Sequence, residues 1–228
     1  MIGKRGIASH LEMIIAFAIF ISFVTFLMLY IRPYKQEALA DSILDGLHDS
    51  FVEYASTNMT KIFVKSSDPC VQLNVNSFVS SPNDRSFVKS VSGEKLNSVF
   101  SSGSLKVENS GTSGAFYAYF SDGLDASATS CTPAPTPSYT VGSIESKRLV
   151  SELKLENIKS EYAPNYARLK EIFGIPSTKD FGIESVDGSF VVKRNIPEAA
   201  IVISKSFASE VLQKNGSIVN REFIYKVW

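Results

Sequence analysis

Nineteen consecutive residues, Met13 to Ile31, carry no charge, and such a run leaves a chain few ways to fold. At 1.5 Å per residue it makes a helix of about 28 Å, close to the hydrocarbon thickness of a bilayer. Its aliphatic hydroxyls, Ser22 and Thr25, can bond back to the helix backbone and so do not oppose insertion. A buried helix of a soluble protein and a removable secretory signal are the competing readings. A signal's apolar region spans only about 7–15 residues and closes on small side chains. This run closes on Tyr30-Ile31-Arg32-Pro33-Tyr34-Lys35, an aromatic and basic border suited to a membrane interface. The expectation is a retained membrane helix. Lys4 and Arg5 favour a cytoplasmic N-terminus, against Arg32 and Lys35 on the far side, which Glu37, Asp41 and Asp45 soon follow.

Beyond Pro33, which can kink a helix or start a new one, Leu39, Ile43, Leu47, Phe51 and Tyr54 recur at helical spacing, widened by Leu44 and Ala55. They predict an amphipathic helix over 34–56 whose stripe packs on a globular head. The grammar then changes. Lys61–Lys65, Cys70–Val75, Ser104–Glu108 and Ala115–Phe120 read as short strands, and Glu94–Phe100 as a short helix. Residues 121–138 form a Pro/Ser-rich loop, and 139–150 suggest another strand. A helical phase over 151–173 is divided at Pro164 and stopped by Gly174 and Pro176. Two hairpins close the chain. Phe181–Val186 and Ser189–Arg194 turn at Asp187-Gly188, a type I′ signal, and Ala199–Leu212 and Ile218–Trp228 turn at Asn215-Gly216. The expected fold class is α+β. A basic leader (1–6), a membrane helix (7–33) and an amphipathic continuation (34–57) precede an antiparallel β-rich extracellular head (58–228).

The 23 basic and 23 acidic residues balance to zero, which argues against nucleic acid as a partner. Cys70 and Cys131 both lie outside the membrane segment. In an oxidising compartment they read as a disulfide, and otherwise as two buried thiols. Asn58-Met59-Thr60 and Asn215-Gly216-Ser217 are sequons, at an expected helix end and hairpin tip, so Asn58 and Asn215 are candidate glycosylation sites. No nucleophile elbow, phosphate loop or histidine metal motif is present, so neither an enzyme nor a cofactor is expected. His10 sits in the membrane-entry segment, and His48 on the solvated or partner-facing side of the second helix.

Glu12 is the residue least explained by this account. A carboxylate opening an apolar helix gains from the helix dipole, yet costs several kcal/mol if drawn below the headgroups without a cationic partner. Taken together, Lys4-Arg5-Gly6, a short spacer, Glu12 and a long apolar run resemble the class III signal of type IV pilins and archaeal pilin-like proteins. The resemblance implies a prepilin peptidase cutting between Gly6 and Ile7. It implies that the new amino group at Ile7 meets the glutamate of a neighbouring subunit, the role that falls to Glu12. That glutamate usually stands fifth after the cut, and Glu12 stands sixth from Ile7. It further implies helices packed in a filament core, β-rich heads outside, and partners that are copies of this chain or other pilin-like subunits. The alternative from the residues alone is an uncleaved single-pass surface binding protein or adhesin, anchored in the cell membrane with its head outside.

Overall fold

The computed structural model describes residues 4–79, 84–109, 114–125, 127–133 and 138–228, with no account of the side chains of residues 4–11 and 30–38. One helix, α1 (Lys4–Ala55), spans 52 residues, about 78 Å at the standard rise. It passes through Pro33 as a single element, with no second helix beginning there. The lost amide removes one hydrogen bond, and helical turns on both sides carry the element across.

α1 passes without a loop into β1 (Ser56–Lys65). Six strands follow: β2 (Cys70–Asn74), β3 (Arg85–Ser90), β4 (Lys95–Leu96), β5 (Ser98–Ser101), β6 (Ser104–Glu108) and β7 (Ala115–Ser121). After β8 (Thr140–Ser151) come α2 (Glu152–Tyr162) and α3 (Tyr166–Ile172), then β9 (Phe181–Ser185), β10 (Val191–Val192), β11 (Ile203–Leu212) and β12 (Ile218–Val227). Nine strands form one sheet in the order β10-β9-β12-β11-β8-β1-β7-β3-β4, and β2-β6-β5 form a second. The fold class is α+β with a mixed sheet. The expected purely antiparallel head is corrected at one place, where β11 runs parallel to β8 through Val211–Val150 and Leu212–Ser151. The connection from β8 to β11 carries two helices and a hairpin, long enough to return a strand in the same direction.

Three other expectations are corrected. Glu94–Phe100 is not helical: Lys95–Leu96 and Ser98–Ser101 are strands, because Phe100 and Val99 pair with Leu105 and Lys106 of β6. Asn58 lies within β1, opposite Arg148, and not at a helix end. At both late hairpins the positive φ falls on the glycine alone, Gly188 at +71° and Gly216 at +77°. Each glycine amide bonds back three residues, to Ser185 and to Gln213. This is a type I turn followed by a left-handed glycine, not the type I′ turn that needs two left-handed residues. The stop at Gly174 holds. It adopts φ +65°, its amide reaches Glu171 and that of Ile175 reaches Lys170, a Schellman closure of α3.

Two larger cores lie along one face of the large sheet, and Met59, Phe87, Leu124, Leu149 and Leu212 form a smaller cluster on the other. In the first, the C-terminal half of α1, α2 and α3 cover β9–β12, with Phe51, Phe173, Phe181, Phe223 and Tyr225 at its centre. In the second, Ile62, Phe116 and Phe120 of the large sheet meet Val71, Leu73 and Leu105 of the small one. Cys70 and Cys131 form a disulfide, which ties residues 127–133 to the start of β2.

Candidate functional site: the bare half of α1 and its seat

α1 divides into two halves of opposite character. From Glu12 to Leu29 none of the helix is buried, and its mean hydropathy is 2.4. One N-terminal helix is therefore long and apolar enough to span a membrane. Met13, Phe17, Phe20, Phe23, Phe26 and Leu29 all present their side chains outward. Ser22 Oγ donates to Ala18 O at 2.8 Å, the back-bonding that makes a hydroxyl tolerable in an apolar medium. Glu12 is exposed at the edge of this band. Gly6 and Ile7 fall inside α1, but their side chains lie outside the described residues, so the expectations of processing and of a subunit contact are carried by the sequence alone.

The other half is the seat. Leu44, Leu47, Phe51 and Ala55 are fully buried, as the apolar stripe requires, while Ile43 and Tyr54 pack at its margin. Leu39 departs from the expected stripe. It is 64% exposed, and among the described residues the first α1 side chain packed on the core is Ile43, one turn later. Asp45 accepts from Lys205 Nζ at 2.7 Å. The His48 ring stacks on Phe207 at 4.0 Å and meets the edge of Tyr225 at 5.2 Å.

His48 is thus not a solvated residue. Burial lowers its pKa, and Asp49 and Asp45 act in the opposite direction. Burial likewise pushes the Tyr225 phenol far up. His48 Nδ1 and the Tyr225 hydroxyl have no hydrogen-bond partner among the described residues.

The end of the helix is closed from a distance. α1 has no basic residue in its last turn, and its free carbonyls need donors. Arg148 of β8 donates to Glu53 O at 3.0 Å, and Lys154 of α2 to Ser56 O at 2.6 Å. Two clefts adjoin this closure. One, of about 310 Å³, is lined by Ser56, Thr57, Asn58, Asp84, Asp122, Arg148 and Lys154. The other, of about 350 Å³, is lined by His48, Asp49, Val52, Glu53, Ser56 and Arg148. Their cations are held on carbonyls at the junction of α1 and β1 and Thr57 donates to Asp122, so both clefts follow from this closure and show no convergent reactive group. Among the described residues no three His, Cys, Asp or Glu side chains gather in a way that holds a metal ion.

Of the glycosylation candidates, Asn58 and Asn215 are both exposed. Asn215 spends its side-chain oxygen on the Ser217 amide at 2.9 Å. No known protein family, characterised protein or solved structure matches the chain. Arg148, Lys154 and Phe207 were not singled out from the sequence. Each acts across nearly a hundred residues or more, and nothing local marks them.

Proposed function

We propose that this protein is a pilin-like or pseudopilin-like structural subunit, held in a membrane by α1 before assembly and presenting its β-rich head on the extracellular side. The carrying observation is the division of α1: one half bare and apolar over Glu12–Leu29, the other locked into the head by Leu44, Leu47, Phe51 and Ala55. A soluble domain has no use for an 18-residue helical stretch of mean hydropathy 2.4 with no buried residue. A helix that exchanges lipid for neighbouring helices does, since packing in either medium needs only apolar surface. Order along the chain supports the same reading: basic residues, Gly6-Ile7, Glu12, then the apolar band.

In this role Gly6-Ile7 is the processing site. Glu12 is the acceptor for the amino group that processing exposes, and the disulfide hardens the head for an oxidising exterior. The test is the N-terminus of the protein in its native membrane. Sequencing should begin at Ile7, and Gly6→Leu should abolish that species. A chain still beginning at Met1 or Ile2 refutes the processed subunit and leaves an uncleaved surface anchor.

A further inference from the structure

The head has a defined lower end, and three of its exposed apolar side chains, Ile196, Ile201 and Val202, lie there. β11 runs alongside α1 in the same direction, as the Asp45–Lys205 ion pair and the His48–Phe207 stack show. β12 is antiparallel to β11 and to β9. The starts of β9 and β11 and the end of β12 therefore share the end from which the bare half of α1 leaves. The 193–202 segment crosses that end, from the edge strand β10 to β11. It is held at one side by Arg194, whose guanidinium lies 3.9 Å over the Tyr166 ring, and shaped by a turn from Ala200 N to Pro197 O. Its apolar side chains reach solvent: Ile201 is 78% exposed, with Val202 next to it and Ile196 five residues earlier each exposed by rather more than a third.

We infer that the Ile196–Val202 loop is a membrane contact, its isoleucines resting among lipid headgroups beside the emerging helix. This rests on the membrane reading of α1. The level follows from the register. Ile201 precedes Lys205 by four residues, at most about 13 Å of extended chain. That places it level with roughly residues 36–39 of α1, given the rise of the helix. The apolar run ends at Ile31, so the loop stands about 8–12 Å above the hydrocarbon edge for an upright helix. Each headgroup layer is about 5–8 Å deep. An ordinary tilt of about 20° lowers a point 10 Å from the helix axis by roughly 3 Å more. The loop reaches the layer where apolar side chains gain by partial burial.

The test uses the full chain, one copy per lipid nanodisc, with Trp228→Phe removing the native fluorophore. Single tryptophans replace Ile201, Met28 in the band, or Val186 at the opposite end of the sheet, and brominated phospholipids act as quenchers. The expected result is about twofold quenching at 201 and at 28 and none at 186. Quenching at 28 without quenching at 201 overturns the inference and leaves the membrane reading standing. No quenching at either overturns both. Quenching at 186 as well means indiscriminate adsorption of the head and also overturns the inference. On the unmodified chain, amides of 195–202 should exchange more slowly in nanodiscs than in a detergent micelle, while those of 186–189 stay unchanged. Equal rates for 195–202 in both media refute the contact.

Discussion

Phe51→Ala tests whether the buried half of α1 is what holds helix and head together. Phe51 is fully buried, and its ring lies 6.1 Å from Phe173, 5.8 Å from Phe190, and 5.7 Å from both Phe223 and Tyr225. Each such pair adds about 0.5–1.5 kcal/mol beyond area. The four cannot be summed, because one truncation removes them together and the cavity relaxes in part. The expected loss is about 4 kcal/mol, within the range for Phe→Ala in a closed core. With a urea slope near 2.5 kcal/mol/M for a head of this size, the unfolding midpoint falls by roughly 1.5 M. Trp228 is the only tryptophan, and its backbone pairs with Asp180 at the edge of this core, so its fluorescence reports the right lobe. Leu39→Ala, at a position 64% exposed, should cost less than about 0.5 kcal/mol. Equal midpoints for the two variants would refute the division of α1 into a bare half and a seat.

The Cys70→Ser, Cys131→Ser double variant releases a loop closed across 61 residues. It should lose about 4 kcal/mol in the chain-entropy model, read as a lower melting temperature that dithiothreitol no longer affects. His48 has a folded pKa below its unfolded one, so the unfolded chain binds the extra proton first. Its contribution is complete above the ordinary histidine value of about 6.5 and declines as pH falls from there toward the folded pKa. Stability should therefore drop on acidification through that window, and His48→Gln should flatten the profile. Asp187 is held well below the usual carboxylate range, chiefly by hydrogen bonds from Ser185 and Ser189 and further by Arg221. Asp187→Asn should cost stability at neutral pH and nothing once the native carboxyl is protonated, as thermal melts across the acid range will show. Gly216→Ala needs a Cβ 2.4 Å from Phe87 Cδ1 at a φ of +77°, and should cost about 1–3 kcal/mol in the same urea assay.

What the sequence revealed was whatever depends on near neighbours. The apolar band, the stripe of Leu44, Leu47 and Phe51, the stop at Gly174 and the glycine turns at 188 and 216 are all written in residues a few positions apart. Sites decided by distant pairing were not legible. Glu94–Phe100 reads as helical because the strand character of Ser98–Phe100 comes from β6, and β3 was missed because Arg85–Ser90 has no strong alternation: Ser86, Phe87, Val88 and Ser90 are all buried. His48 reads as solvated or partner-facing, and its stack on Phe207, 159 positions away, is invisible from the helix. Leu39 failed for the opposite reason. Periodicity extended the stripe one turn further than the head reaches. The candidate site was legible as a band of apolar residues and one carboxylate, but its seat and cap were not.

The junction decides how far the two halves of α1 can move relative to each other. Ala55 is fully buried, and Ser56 is already in β1, so no linker separates helix from sheet. Arg148 from β8 closes the Glu53 carbonyl of the last turn and Lys154 from α2 the Ser56 carbonyl just beyond it, both of which a helix that pivoted freely would leave to water. Asp45 and Lys205 add an exposed pair of small value, so the aromatic packing around Phe51, not the charges, sets the orientation. An orientation set by a packed core is stiff, because interiors at crystal density do not deform gradually. A stiff seat makes the height of the Ile196–Val202 loop above the apolar band a property of the fold. It also means that packing the bare helices side by side would place every head at the same angle, as a regular surface assembly requires.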